Sequence, residues 1–247
     1  MNFLSNTLIK LTHYHDHTLF DREVVSIFES GSPCVIVSTH TSSLDGAFLN
    51  YILNKYGYIR NVYFLTKIEV FKNKVLSYIL KKNKYIPLDR NSPQKDTLNI
   101  CNEILNGGNI IALSPVGKRT DNYDGITIKR GGVHIAYKAQ VPLIPIAIAG
   151  AMKLKFFHIF KRQVLSVYFG KPIFLKRNIT NPKELKQYEE TINIEILKQL
   201  SELHSFAINS KQETEINPDI MYSSNIFSEF FKYLLSITIG RWLKVMN

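Results

Sequence analysis

Short apolar runs separated by helical patterns make up most of this chain. Runs of four to seven residues, several of them rich in β-branched side chains, are typical of buried strands. They cover residues 34–38, 62–66, 85–88, 110–113, 142–148 and, more weakly, 164–169. Between them, the spacing of apolar residues predicts helices over 18–30, 47–57, 71–82, 93–106, 132–139 and 182–208. Strands that alternate with helices predict an α/β domain with a mostly parallel central sheet covered by helices.

The carboxyl-terminal part of the chain has a different pattern. Residues 209–219 have the composition of a linker, which predicts one domain over 1–208 and a linker with a C-terminal amphipathic helix over 209–247. In 226–246, polar residues recur every four positions on an apolar, aromatic background: Ser228, Lys232, Ser236, Gly240 and Lys244. Such a helix lies in a membrane interface, or it packs on its own domain or on a partner chain.

Composition narrows the class of protein without choosing a function. The 247 residues are 45% hydrophobic, which is enough for a sizeable core, and the formal net charge is +11. A basic chain favours anionic partners such as lipid headgroups, nucleic acid or the phosphates of a nucleotide-like cosubstrate. Two cysteines in apolar settings, Cys34 and Cys101, predict buried free thiols in a reducing compartment.

No secretory signal and no membrane-spanning run is evident in the sequence. We therefore expect a cytoplasmic protein that contacts membranes peripherally.

The residues best suited to chemistry follow the first apolar run. His40 can act as a general base, and Asp45 can hold its other ring nitrogen and stabilise the imidazolium that forms. Five residues apart on a helix would place the two on different faces, so the chain must turn between them. From these residues alone, a loop histidine beside a helix-capping aspartate is the favoured interpretation.

The order of several further segments resembles the glycerolipid acyltransferase superfamily, which includes 1-acylglycerol-3-phosphate acyltransferases. That family has a His-X4-Asp block, an apolar stretch ending in Arg, a Phe-Pro-Glu-Gly-Thr-Arg-Ser block and an apolar segment with paired prolines. The segments of this chain that match these blocks are His40–Asp45, Tyr85–Arg90, Ser114–Thr120 and Val141–Ile146. Thr66–Glu69 and Phe169–Pro172 are also similar, so that the resemblance covers about residues 33–175.

The resemblance implies a fold like that of glycerol-3-phosphate acyltransferase and transfer of a fatty acyl group from a thioester to a hydroxyl. His40 would be the base and Asp45 its orienting partner, with acyl-CoA or acyl-carrier protein as donor and a lysophospholipid as acceptor. It implies neither a metal nor a further cofactor. The implied substrate-binding residues are Arg119, Arg90, Gly117, Lys118 and Lys67. Arginine suits phosphate because its planar group donates two parallel hydrogen bonds.

The third block departs from the family pattern at positions that bear on the chemistry. Ser114 replaces Phe, Val116 replaces Glu and Lys118 replaces Thr. The lost carboxylate removes an acceptor for a substrate hydroxyl or for Arg119, and Lys118 adds positive charge. An acyltransferase with a different alcohol or amine acceptor, and a non-catalytic lipid-binding relative, therefore remain as alternatives.

Two other readings have less support. His13, His15 and His17 alternate, so a strand would place them on one side, but no second ligand cluster accompanies them. We expect a polar N-terminal segment there and no metal. The basic residues are scattered without a recognised motif, which argues against nucleic-acid binding. His134 is expected to be a packing residue.

Overall fold

The structure, a computed structural model, describes residues 13–42, 45–58, 61–89, 95–120, 122–123, 125–150 and 163–215. Arg90 and the predicted helix over 226–246 lie outside these residues. The division between 1–208 and 209–247 stays a prediction.

Within the described residues, a seven-stranded sheet forms the centre of the fold. Its strands are β1 (His13–Phe20), β2 (Cys34–Ser38), β3 (Val62–Lys67), β4 (Tyr85–Leu88), β5 (Ile110–Leu113), β6 (Leu143–Ala149) and β7 (Gln163–Phe169). The helices are α1 (Arg22–Glu29), α2 (Asp45–Lys55), a 3₁₀ helix (Ile68–Lys72), α3 (Lys74–Lys82), α4 (Lys95–Asn106), α5 (Gly131–Ala139) and α6 (Pro182–Glu215).

The order of the strands across the sheet is β1-β7-β6-β2-β5-β3-β4. Strands β6, β2, β5, β3 and β4 run parallel to one another, and β7 is antiparallel to β6. β1 lies parallel to β7 at the outer edge. The expected α/β fold with a mostly parallel sheet is therefore confirmed.

The central strands are apolar along their whole length because helices cover both faces of the sheet. One cluster of buried side chains includes Ile36, Phe48 and Ile110 and lies between the sheet and helices α1 and α2. A second includes Val37, Ile111 and Leu200 and lies between the sheet and helices α4, α5 and α6. Cys34 and Cys101 are buried free thiols within these clusters, as predicted.

Several predicted elements need correction. Residues 18–20 belong to β1 rather than to the predicted helix over 18–30, because they pair with Val167–Phe169 of the adjacent strand. The spacing of Thr97, Ile100, Cys101, Ile104 and Leu105 predicts one inner face for the helix over 93–106, but Ile100 is 44% exposed and α4 buries only Cys101 and Leu105. Residues 209–215, predicted as a linker, continue α6 without a break.

The histidine-rich segment does form a strand, and an irregularity interrupts it. Between His13 and His15 the register with β7 shifts, because two residues of β1 correspond to one step along β7. The regular backbone pairing of β1 with β7 is therefore interrupted at this point.

Candidate active site

Most of the candidate residues lie at one edge of the sheet. β2, β5, β3 and β4 are parallel neighbours, so their carboxyl ends meet at the same edge. His40 follows β2, the loop with Gly117, Lys118 and Arg119 follows β5, and Lys67 ends β3. The predicted site residues within the described chain therefore share this edge, with Lys67 two strands away from His40.

His40 and Asp45 form the hydrogen-bonded pair that the sequence suggested. The distance between His40 Nδ1 and Asp45 Oδ2 is 2.9 Å. The side chain of His40 is 32% exposed and that of Asp45 is 8% exposed. Because a carboxylate accepts hydrogen bonds, Nδ1 carries the proton, and Nε2 remains to accept a proton from a ligand.

The turn between the two residues is built around the Asp45 carboxylate. The backbone N–H of Thr41 donates to Oδ2 at 3.0 Å, and the N–H of Ser42 donates to both oxygens at 3.1 Å. The Thr41 hydroxyl donates to Oδ1 at 3.4 Å. These bonds fold residues 40–42 back onto Asp45, which explains how a pair five residues apart can meet. The donors of these hydrogen bonds, Thr41 and Ser42, precede Asp45 in the loop. A helix-capping aspartate would instead accept from N–H groups of the helix that follows it.

Two residues of the loop after β5 fix the backbone of His40. Its N–H donates to the Tyr123 hydroxyl at 2.7 Å, and its carbonyl accepts from the Thr120 N–H at 2.9 Å. Tyr123 is itself buried. Thr120, Tyr123 and His40 are thus held in one geometry, although the two loops are about 80 residues apart in sequence.

That loop presents its cations to solvent at the site edge. Lys118 and Arg119 are exposed, and Arg119 directly precedes Thr120, which bonds to His40. Gly117 has a φ of 75°, a left-handed conformation that a glycine adopts without strain. The carbonyl of Pro115 accepts from the Lys129 N–H at 2.9 Å, which ties the loop to the start of α5.

Val116, which replaces the family glutamate, is buried in the second apolar cluster. The position is therefore part of the core on this side of the loop. A carboxylate there would lie among apolar side chains, at a cost in desolvation.

Tyr85 packs beside Asp45, against the adjoining Gly46. A Cβ added to Gly46 would lie 2.5 Å from Tyr85 Oη and 3.1 Å from the Phe64 ring, so only glycine allows this packing. The rings of Phe64 and Tyr85 stack with centroids 5.0 Å apart. Burial and, to a smaller extent, the negative charge of Asp45 raise the pKa of Tyr85 to about 12.

A second histidine–carboxylate pair was not predicted. His134 Nδ1 lies 2.6 Å from Glu189 Oε1, and Arg130 Nη1 donates to Glu189 Oε2 at 2.9 Å. Glu189 is buried, whereas both partners are partly exposed. Arg130 precedes α5 directly and His134 lies within it, four residues later, so that both side chains are on one face of the helix. This spacing could be predicted from the sequence. Nothing in the pattern of α6 singles out Glu189, so the pair itself was missed.

Within the described part of the chain, no three His, Cys, Asp or Glu side chains come together as metal ligands. None of the helices described combines the length and the apolar character that crossing a bilayer requires.

Comparison with known proteins agrees with this geometry. The family model for acyltransferases matches residues 17–149. A 1-acyl-sn-glycerol-3-phosphate acyltransferase of Bacillus subtilis is 30% identical over 139 residues, which cover 56% of this chain and 66% of that enzyme. A chloroplastic 1-acyl-sn-glycerol-3-phosphate acyltransferase of Brassica napus is 32% identical over 127 residues, covering 51% of this chain and 35% of the relative.

The fold is also similar to a solved structure. The crystal structure of the 1-acyl-sn-glycerophosphate acyltransferase PlsC from Thermotoga maritima superposes with a TM-score of 0.53 at 18% identity, covering 80% of this chain and 78% of that one. The sequence matches span less than two thirds of the length of each of these two relatives. The family model covers more than half of this chain, from β1 to the end of β6. The chain therefore belongs to the acyltransferase family.

Proposed function

We propose that this protein transfers a fatty acyl group from a CoA or acyl-carrier-protein thioester to the hydroxyl of a lysophospholipid such as 1-acylglycerol-3-phosphate. The observation that carries the proposal is the pair of His40 and Asp45, with Nδ1 bonded to the carboxylate and Nε2 left to act. The names of the relatives support the choice of acceptor, since both are described as acyltransferases acting on this lysophospholipid.

The chemistry follows from the orientation of the ring. Nε2 of His40 takes the proton of the acceptor hydroxyl as its oxygen attacks the thioester carbonyl. The Asp45 carboxylate stabilises the imidazolium that forms. The tetrahedral intermediate collapses, the carbon–sulfur bond breaks, and the thiolate takes the proton from His40. The products are the ester and the free thiol, and no acyl-enzyme is required.

The acceptor phosphate would bind to the cations at the same edge. Arg119 is the first candidate, because it is exposed and next to the residue that bonds to the His40 carbonyl. Lys118 adds charge, Gly117 lets the backbone approach the ligand, and Lys67 approaches from β3. Arg90, after β4, is proposed from the sequence alone. Acyl chains favour a membrane surface, so we propose peripheral association with a membrane from the cytoplasm.

Another acceptor is the second candidate. The burial of Val116 among apolar side chains means that this position contributes no carboxylate to a polyol-like acceptor. An alcohol or amine acceptor with fewer hydroxyl groups would not need a carboxylate at this position.

The test is thiol release from acyl-CoA and from acyl-carrier protein, with and without acceptor. Lysophosphatidic acid, glycerol 3-phosphate and a long-chain alcohol are compared, and the lipid product is identified by mass spectrometry. We expect release that depends on lysophosphatidic acid and yields the diacyl product. Release with the alcohol only would favour the second candidate, and release with none of them would contradict the proposal.

A further inference from the structure

An exposed apolar surface lies on the segment between β3 and β4. Within twelve residues, five large hydrophobic side chains are exposed: Ile68, Val75, Leu76, Tyr78 and Ile79. Val75 is 71% exposed and Tyr78 is 68% exposed, and none of the nine residues of α3 is buried. The surfaces of soluble proteins rarely concentrate apolar side chains in this way, and such a patch is typical of an interaction site.

The same segment is strongly basic. Residues 62–88 contain six lysines and a single acidic residue, Glu69. Lys72, Lys74, Lys81 and Lys82 are exposed, and none of the ion pairs among the described residues uses them. At 100° per residue, Val75, Leu76 and Ile79 fall on one side of α3. Lys74 and Lys81 fall on the opposite side, and Lys82 lies one helical repeat beyond Val75, at the end of the helix. Helices that lie in a membrane interface combine an apolar side with a lysine-rich side in this manner.

The position of the segment relates it to the candidate active site. The 3₁₀ helix begins directly after Lys67, at the carboxyl end of β3, which is the edge that carries His40 and Arg119. α3 then packs on β4, the outermost strand at this side of the sheet. A bilayer that contacted this surface would therefore lie beside the edge that carries the candidate active site.

We infer that the 3₁₀ helix and α3, residues 68–82, form the surface that docks this protein on an anionic phospholipid membrane. The inference deepens the proposed function, because it names the surface that meets the membrane. Charge complementarity selects the partner: anionic headgroups neutralise the lysines while the acyl region takes up Val75, Leu76 and Ile79. A second copy would bring like charges together. The apolar segment over 226–246 is also basic, with Lys232, Arg241 and Lys244 against Glu229.

The test is binding of the full-length chain to vesicles, which requires no turnover. Phosphatidylcholine vesicles are compared with vesicles that also contain phosphatidylglycerol, by cosedimentation. We expect tighter binding to the anionic vesicles, weakened by added salt. Replacing Lys74, Lys81 and Lys82 by Gln should weaken that binding roughly 100-fold. The matched control replaces three exposed lysines of α6, Lys183, Lys186 and Lys198, by Gln and should bind as wild type.

A second pair of variants tests the apolar side. Val75→Asp with Ile79→Asp should abolish most vesicle binding, whereas Ile194→Asp with Phe206→Asp on α6 should not, although these residues are at least as exposed. Wild-type affinity for the vesicles in the α3 variants would overturn the inference. The inference would also fail if these substitutions changed the oligomeric state or the melting temperature but left vesicle binding unchanged. His40→Ala should bind vesicles as wild type does. An inactive wild type with these binding results would contradict the proposed function and leave the docking surface supported.

Discussion

At the residue scale, Asp45 has two structural roles. Its carboxylate holds the Nδ1 proton of His40 and also accepts the backbone N–H groups of Thr41 and Ser42. One side chain therefore sets the tautomer of the histidine and the shape of the loop that carries it. The two roles explain why a polar group is buried here at all, since each oxygen has partners.

Asp45→Asn separates these roles. The amide keeps one acceptor oxygen for the loop, but it no longer stabilises an imidazolium and it favours the wrong tautomer. We expect kcat to fall by roughly 10³- to 10⁴-fold, with a folded protein by circular dichroism. A wild-type kcat in this variant would exclude Asp45 from the proposed mechanism.

Arg119→Ala tests the phosphate site. Removing one charged donor should raise KM for a phosphate-bearing acceptor roughly tenfold or more, with a smaller effect on kcat. An acceptor that lacks a phosphate serves as the comparison, because its KM should not change. Arg177→Ala, at another exposed arginine, is the control variant. An unchanged KM for the phosphate-bearing acceptor would place the phosphate elsewhere.

The sequence identified His40 and Asp45 only through the order of several motifs, since a His and an Asp five residues apart occur often by chance. It could not identify Tyr123, which lies 83 residues from His40 and belongs to no motif. Glu189 was missed for the same reason, because its partners are 55 and 59 residues away. Contacts between distant segments depend on the packing of the sheet, which local patterns do not encode.

At the scale of elements, the loop after β5 supports the loop after β2. Tyr123 and Thr120 bond to the two backbone groups of His40, so that the base is positioned by a neighbouring strand connection. Positioning residues of this kind affect the reaction without contacting the substrate.

Tyr123→Phe removes the acceptor for the His40 N–H. The partly buried donor then has no partner from this ring, which should cost about 1 kcal/mol of unfolding free energy and lower kcat with little change in KM. Chemical denaturation and steady-state kinetics measure the two effects. Tyr78→Phe, at a tyrosine that is 68% exposed, should change neither quantity. Equal stability and kcat in Tyr123→Phe would show that the bond does not position His40.

The predictable elements were those with strong local patterns. The β-branched runs at β2, β5 and β6 predicted buried strands with boundaries close to those observed. β1 was missed because its sequence is polar and its pairing partner, β7, is distant in the sequence. The end of α6 was misplaced because residues 209–215 have the composition of a loop but continue a helix that is already formed.

At the scale of the whole molecule, burial makes stability sensitive to high pH. Burial, with a contribution from Asp45, raises the pKa of Tyr85 from 10.0 to about 12, and burial raises that of Cys101 from 9.0 to about 12. Both neutral forms are favoured in the folded state. Their contribution to stability is therefore complete below the unfolded pKa values and is lost as the pH rises towards about 12.

The free energy of unfolding should accordingly fall between about pH 10 and 12, and less steeply in Tyr85→Phe than in wild type. Urea unfolding at a series of alkaline pH values measures this difference. Tyr78→Phe should keep the wild-type slope. Identical slopes in wild type and Tyr85→Phe would show that the Tyr85 hydroxyl does not titrate late in the folded protein.

The overall architecture was predictable because alternating strands and helices permit few arrangements. The parallel strands then bring His40, Lys67 and the Arg119 loop to one edge, as the motif order suggested. From the sequence, the segment over 226–246 was the candidate for membrane contact, with packing on its own domain or on a partner chain as the alternative. The exposed residues of α3 were instead predicted only as an ordinary helix, because an amphipathic pattern does not reveal whether its apolar side is covered.

The central claim is that His40 is the base of an acyl transfer, and the chain contains its own control. His134 is also bonded through Nδ1 to a carboxylate and is 31% exposed, compared with 32% for His40. The measurement is acceptor-dependent thiol release from the acyl donor by wild type, His40→Ala and His134→Ala. We predict that release is lost in His40→Ala and retained in His134→Ala, with both variants folded. Wild-type release by His40→Ala would contradict the account.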